Sequence, residues 1–163
     1  GIPLTLHTGV SYVCPQPNSH CHPQQLDDVA LAFPDLKMIA YHAGWPYTEE
    51  LIGLCGKHKN LYMSLSGIFG WYQRSPYRGY HAIGTALQWV PADKIVLGFD
   101  LPFDDLPRVT DYIRDLSMPE ELQEKWGYAQ VTDEDKAKIL GLNLAKLTGI
   151  EPTKRAKFAA AGV

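Results

Sequence analysis

Three short apolar runs, each closing on a side chain that can hold a metal or move a proton, constrain this chain more than any other feature. They are Pro3-Leu4-Thr5-Leu6 into His7, Met38-Ile39-Ala40-Tyr41 into His42, and Ile95-Val96-Leu97-Gly98-Phe99 into Asp100. Unbroken apolar runs of this length mark strands buried on both faces, as in parallel sheets, and barrels of alternating strands and helices keep their reactive groups at strand carboxyl ends. Residues 60 to 66 predict one more such strand.

Between the strands the pattern turns helical. Residues 26 to 33 carry helical spacing until Pro34-Asp35 stops it, and Thr48 is expected to N-cap a helix that opens on Glu49-Glu50 and runs to about Lys57. Further helices are predicted over 80 to 90, near 105 to 115, over 119 to 126 and over 132 to 147. The aromatic, Gly-containing stretch from Gly67 to Gly79 reads as a loop over a site. Strand alternating with helix four times implies parallel strands joined by right-handed crossovers, which amounts to half a barrel. At 163 residues and 45% apolar content the chain can bury one core, but it is short of the roughly 200 residues at which complete eight-stranded barrels begin. The expected fold is therefore α/β, the C-terminal half of a barrel over residues 1–151, followed by a flexible tail over 152–163. An open strand edge invites another chain, so a missing N-terminal half-barrel or a partner chain, and an oligomer, are expected.

The formal net charge of -3 and the scattered Lys and Arg residues present no basic stripe for nucleic acid and no polybasic segment for a lipid surface. No apolar run approaches the roughly 20 residues that span a bilayer, and no charged leader precedes an apolar stretch. Three cysteines, Cys14, Cys21 and Cys55, leave an odd thiol however they pair, which argues against a secreted disulfide framework. A cytoplasmic protein with a small-molecule site is expected.

The segments Leu6-His7-Thr8-Gly9, Tyr41-His42-Ala43-Gly44-Trp45-Pro46, residues 58 to 67, residues 93 to 103 and residues 141 to 150 resemble, in order, strands five to eight and the closing helix of the amidohydrolase-related family. That family includes the aminocarboxymuconate semialdehyde decarboxylase-like enzymes, which are metal-dependent TIM barrels. The resemblance implies strands 5 to 8 of a (β/α)8 barrel. In the family a His-x-His pair on strand one, a His on strand five and an Asp on strand eight hold a divalent ion, with a strand-six His beside it. Carried over by motif, His7 is the strand-five ligand, His42 the strand-six histidine and Asp100 the strand-eight ligand or base. The strand-one pair has no counterpart here; His20 and His22 share its spacing but lie in a loop after strand five. Phe99 and Leu101 depart from the family's more polar neighbours of the Asp and make the surroundings of Asp100 more apolar.

A neutral imidazole with a carboxylate suits zinc first, with manganese or iron fitting the same donors, and an ion with an open position activates water or polarises a substrate oxygen. The metal set expected here is His7, Asp100 and His42, with His42 and Asp100 as the catalytic acid and base. The resemblance implies hydrolysis of a small carboxylated or cyclic organic substrate by metal-activated water. A non-oxidative decarboxylase, an iron-dependent oxygenase on the same scaffold and a non-catalytic assembly subunit are the rivals. Alone, the 163-residue chain is expected to hold metal weakly and to be inactive. Trp45, Phe69, Trp71, Arg74 and His81 are candidates for contact with an organic acid, because aromatic rings cover it and Arg grips a carboxylate with two donors. His58, at the opposite end of its strand from the cluster, is expected to be structural.

Overall fold

The computed structural model describes residues 2–12, 16–68, 70, 74–101 and 105–151. Its strands are β1 Leu4–Leu6, β2 Met38–Ala40, β3 Leu61–Ser64 and β4 Ile95–Val96. They pair in chain order β1-β2-β3-β4, all parallel, with Leu4 beside Met38, Met38 beside Leu61 and Met63 beside Ile95. Helices α1 Gln25–Ala32, α2 Thr48–Lys57 and α3 Pro76–Trp89 carry the chain from each strand to the next. After β4 come α4 Leu106–Arg114, α5 Glu120–Trp126, α6 Asp133–Ala137, a π turn over Lys138–Leu142, and α7 Asn143–Thr148.

Alternation along the strands sorts the sheet into two faces. Met38, Ala40, Leu61, Met63 and Ile95 join the main core with Leu26 of α1, Leu51 and Ile52 of α2, Ile83 of α3 and Ile113 of α4. Ile39 and Val96 face the other way, into a smaller cluster with Leu147 of α7, Tyr41 and Tyr62. Burial on both faces is what makes β2 and β4 apolar without a break; β1, expected to be buried in the same way, instead leaves Leu4 and Thr5 exposed because no strand pairs with its outer edge among the described residues.

Two buried asparagines tie strand entrances to neighbouring turns. Asn60 Nδ2 donates to Phe33 O at 2.9 Å and Leu36 O at 3.1 Å, and Asn143 Nδ2 donates to Ala92 O at 2.7 Å and Ile95 O at 2.8 Å. Asn143→Leu is expected to leave those two carbonyls unpaired and to destabilise the fold by about 2–3 kcal/mol, read as a lowered denaturation midpoint at constant slope. His58, as expected, is structural: it is buried, and its Nε2 lies 2.5 Å from Asp27 Oδ1, which Lys57 Nζ also reaches at 2.7 Å. Burial pushes the Cys55 thiol up to about 12. A shift of that size makes its thiolate roughly a thousandfold scarcer than in a free thiol at neutral pH. Cys55 is therefore expected to resist a disulfide reagent in the folded protein and to react once denatured.

Some boundaries differ from the sequence expectation. Thr48 does not cap α2: Tyr47 holds that place without a side-chain bond, and Thr48 Oγ1 is buried without a hydrogen-bond partner. The helix predicted from residue 80 starts at Pro76, inside the expected loop, because proline suits the first helical turn, where its missing N–H costs nothing. The single helix predicted over 132 to 147 opens with a capping box between Thr132 and Asp135 but is broken by the π turn around Gly141. The expected tail at 152–163 lies outside the described residues.

Candidate functional site

The loop after β1 is stitched to the turn after β2, and this brings His7 to His42. Tyr41 N donates to Leu6 O at 2.8 Å, Thr8 Oγ1 donates to Tyr41 O at 2.6 Å, and Val10 N donates to Trp45 O at 2.8 Å. Gly9, at φ +88°, packs its α-carbon against the Gly44–Trp45 backbone, where any side chain would collide with Trp45 O. The two imidazoles meet edge to face with centroids 4.7 Å apart.

His42 itself begins a tight turn, with φ of 60° at His42, 47° at Ala43 and 69° at Gly44. Two successive non-glycine residues in the left-handed region carry strain on the order of 1 kcal/mol or more each. The restraint comes from the end of β3: His42 N donates to Ser66 Oγ at 3.1 Å, and the same oxygen lies 3.3 Å from His42 Nδ1. Gly98, after β4, has no side chain and so packs closely on Ser64 and Ser66, which brings the β4 exit and Asp100 alongside. A Cβ added at Gly67, φ +74°, would sit 3.4 Å from His42 Nδ1 and 3.8 Å from Asp100 Oδ2. His7, His42 and Asp100 thus converge at one rim of the sheet, and glycine at 67 keeps the space between the last two open.

His7 retains an open face, yet its protonation is held below the usual histidine range. Partial burial is the main cause and the neighbouring His42 the next, opposed by the Asp100 carboxylate and by a hydrogen bond with the Gly9 backbone. The imidazole at His7 is therefore biased to the neutral form that keeps a lone pair. The donor types suit a divalent cation. Among the described residues, however, no three His, Cys, Asp or Glu side chains are already arranged as an ion cage.

The sequence-predicted substrate residues divide. Trp45 and His81 line a cavity of about 760 Å³ with Arg78, Trp89, Trp126 and Tyr128, and none of His7, His42 and Asp100 lines it. His81 Nδ1 pairs with the Tyr128 hydroxyl at 2.9 Å, and its ring meets Trp126 edge to face. The Arg78 guanidinium lies 5.1 Å over the Trp45 ring. Arg74 is exposed. Phe69 and Trp71 lie outside the described residues. Sequence reasoning assigned no role to Thr8, Ser64 or Ser66; for the two serines the available signal was Ser64-Leu65-Ser66-Gly67, where small residues flank Leu65 at the close of an apolar strand.

Parallel strands in sequential order with helical crossovers, and a polar cluster at their carboxyl ends, define part of a (β/α)8 barrel. The chain belongs to the amidohydrolase family, whose model matches residues 1–150. No curated protein gives a match. Among solved structures, an uncharacterized TIM-barrel protein, Bb4693, from Bordetella bronchiseptica superposes with a TM-score of 0.67 at 24% identity, covering 91% of this chain and 46% of that one. An amidohydrolase from Burkholderia multivorans with bound zinc gives 0.57 at 12% identity, with 80% of this chain and 50% of that one covered. The 2,6-dihydroxybenzoate decarboxylase from Rhizobium gives 0.55 at 17% identity, with 80% and 41% covered. This chain spans half or less of the length of each, so the four strands correspond to a partial barrel. No helix among the described residues is long and apolar enough to cross a membrane.

Proposed function

We propose that this chain carries part of the active site of a metal-dependent hydrolase acting on a small carboxylated or cyclic organic substrate. The observation that carries the reading is the convergence of His7, His42 and Asp100 at the carboxyl rim of the sheet. His7 and Asp100 would hold the ion as one neutral and one anionic donor, with further donors supplied by other strands. The fit in donor type supports a divalent cation, as does the zinc of the Burkholderia multivorans protein. Such an ion supplies Lewis acidity, which activates water or polarises a substrate oxygen. Asp100 would accept a proton from the attacking water. His42, held by Ser66, would deliver one to the departing group. The β1 edge, where Leu4 is 44% exposed, supports completion of the barrel by further strands.

Non-oxidative decarboxylation is a second reading, favoured by the apolar Phe99 and Leu101 beside Asp100 and by the likeness to a dihydroxybenzoate decarboxylase. The same residues would then steady the carboxylated substrate, and His42 would protonate carbon as carbon dioxide leaves. Metal analysis of the intact protein, with parallel assays of acid release from amides and lactones and of carbon dioxide release from aromatic acids, tests both. With the strands that complete the barrel present, the expected result is one bound divalent ion and turnover in one of the assays; the 163-residue chain alone is expected to give neither. Full activity after exhaustive chelation would overturn the proposal.

A further inference from the structure

We infer that Ser66 is a positioning residue that holds the neutral His42 ring in a single tautomer, with the proton on Nε2 and the lone pair on Nδ1. Ser66 is 1% exposed, and its hydroxyl lies on two atoms of the same residue, 3.1 Å from the His42 backbone nitrogen and 3.3 Å from Nδ1. The backbone N–H can only donate, so Ser66 Oγ is its acceptor. The hydroxyl's own proton then needs an acceptor, because Ser66 is buried. Among the described residues the contact available to it is Nδ1. Were the ring instead protonated at Nδ1, the oxygen would accept twice and the hydroxyl proton would be orphaned in a buried site, an arrangement folded proteins avoid.

The rest of the rim fixes this hydroxyl in place. Ser66 N donates to Ser64 Oγ at 3.3 Å, Leu65 N donates to Val96 O at 2.9 Å, and Gly98 packs against both serines. Among the described residues, the charged or titratable groups facing the His42 ring are His7, whose ring meets it edge to face, Tyr41, whose ring centroid lies 5.9 Å away, and Asp100, which shares the gap at Gly67. With Nδ1 taken by Ser66, the N–H left at Nε2 makes His42 a proton donor to substrate, and a nitrogen that carries a proton has no lone pair for an ion. The two imidazoles thus face different partners, His7 the cation and His42 the substrate. The catalytic part of this assignment rests on the function proposed above; the tautomer does not.

Nitrogen-15 NMR of ring-labelled histidine, recorded on the intact protein with the ring neutral, tests it. In the unsubstituted protein the His42 Nδ1 and Nε2 signals are expected at the unprotonated and protonated limits. In Ser66→Ala they are expected to move toward each other as the two tautomers exchange, and Ser66→Thr, which keeps the hydroxyl, is expected to restore the limits. In turnover, Ser66→Ala is expected to lower kcat roughly 10- to 100-fold with little change in KM, the usual size of an effect transmitted through an orienting partner. A His42 protonated at Nδ1, averaged signals in the unsubstituted protein, or signals unmoved by Ser66→Ala would overturn the assignment. If Ser66→Ala does not fold, the unsubstituted spectrum alone decides. Expected signals without any turnover would leave the tautomer standing and sink the proposed chemistry instead.

Discussion

Asp100→Asn, made in the protein with its barrel complete, is expected to lower kcat/KM by roughly a thousandfold or more, a loss of about 4 kcal/mol of transition-state stabilisation. Asparagine keeps the shape of the side chain, so the β4 exit and its packing on Ser64 and Ser66 survive. What disappears is the negative charge and the ability to take a proton. In the proposed chemistry the carboxylate does both, as the anionic donor beside the neutral His7 and as the base. The measurement pairs steady-state kinetics with metal content and a denaturation curve. A variant that folds normally but turns over slowly and holds its ion weakly is the expected outcome. Unchanged kinetics would remove Asp100 from the machinery and leave its place beside His42 without a catalytic meaning.

Gly9→Ala is expected to cost about 3 kcal/mol or more of stability, or else to displace the loop that follows β1. Two effects act together. The position sits at φ +88°, where an L side chain is strained, and the added carbon would overlap Trp45 O and lie 2.9 Å from Trp45 C. Both obstructing atoms are backbone and cannot swing aside. Movement of the loop would part His7 from His42, so activity is expected to fall along with the denaturation midpoint. Gly53, within α2, has open space around its α-carbon. Gly53→Ala is the matched control, expected to stabilise by about 0.5–1 kcal/mol, since alanine gives up less chain entropy in a helix interior. Equal behaviour of the two variants would refute the packing account of the site.

The inner strands were legible in the sequence because they are buried on both faces, whereas β1 shares the apolar pattern although its Leu4 and Thr5 are exposed. Met38, Ile39 and Ala40 are all fully enclosed, and no polar residue interrupts them. Hydrogen-bonded ladders are shorter than the apolar runs because the runs continue into exits such as Leu97-Gly98-Phe99, where side chains remain packed after pairing ends. His7, His42 and Asp100 were legible for the same reason, each being the polar residue that closes such a run. Ser66 was not, because a serine after a strand has many uses. Its role depends on the left-handed turn at His42, and that turn contains two residues that ordinarily avoid such a conformation. Thr48 misled because local capping chemistry was overridden: Tyr47 takes the position while α2 packs beside the Gly44 turn, with Leu51 against Gly44. The aromatic cluster of His81, Trp126 and Tyr128 joins residues far apart in the chain, and no local pattern announces it.

Sheet order that follows chain order, with every neighbour parallel, has a kinetic side. No ladder can form between residues close in sequence; each strand must wait for a whole helix to return before it finds its partner. Loop-closure entropy is therefore met before pairing offsets it, which places such a topology among the slower folders and leaves unpaired edges open to other chains in the interval. Mutations that speed helix formation in α1 and α2 should shorten that vulnerable period, whereas changes confined to the rim of the sheet should act mainly on how fast the finished molecule comes apart.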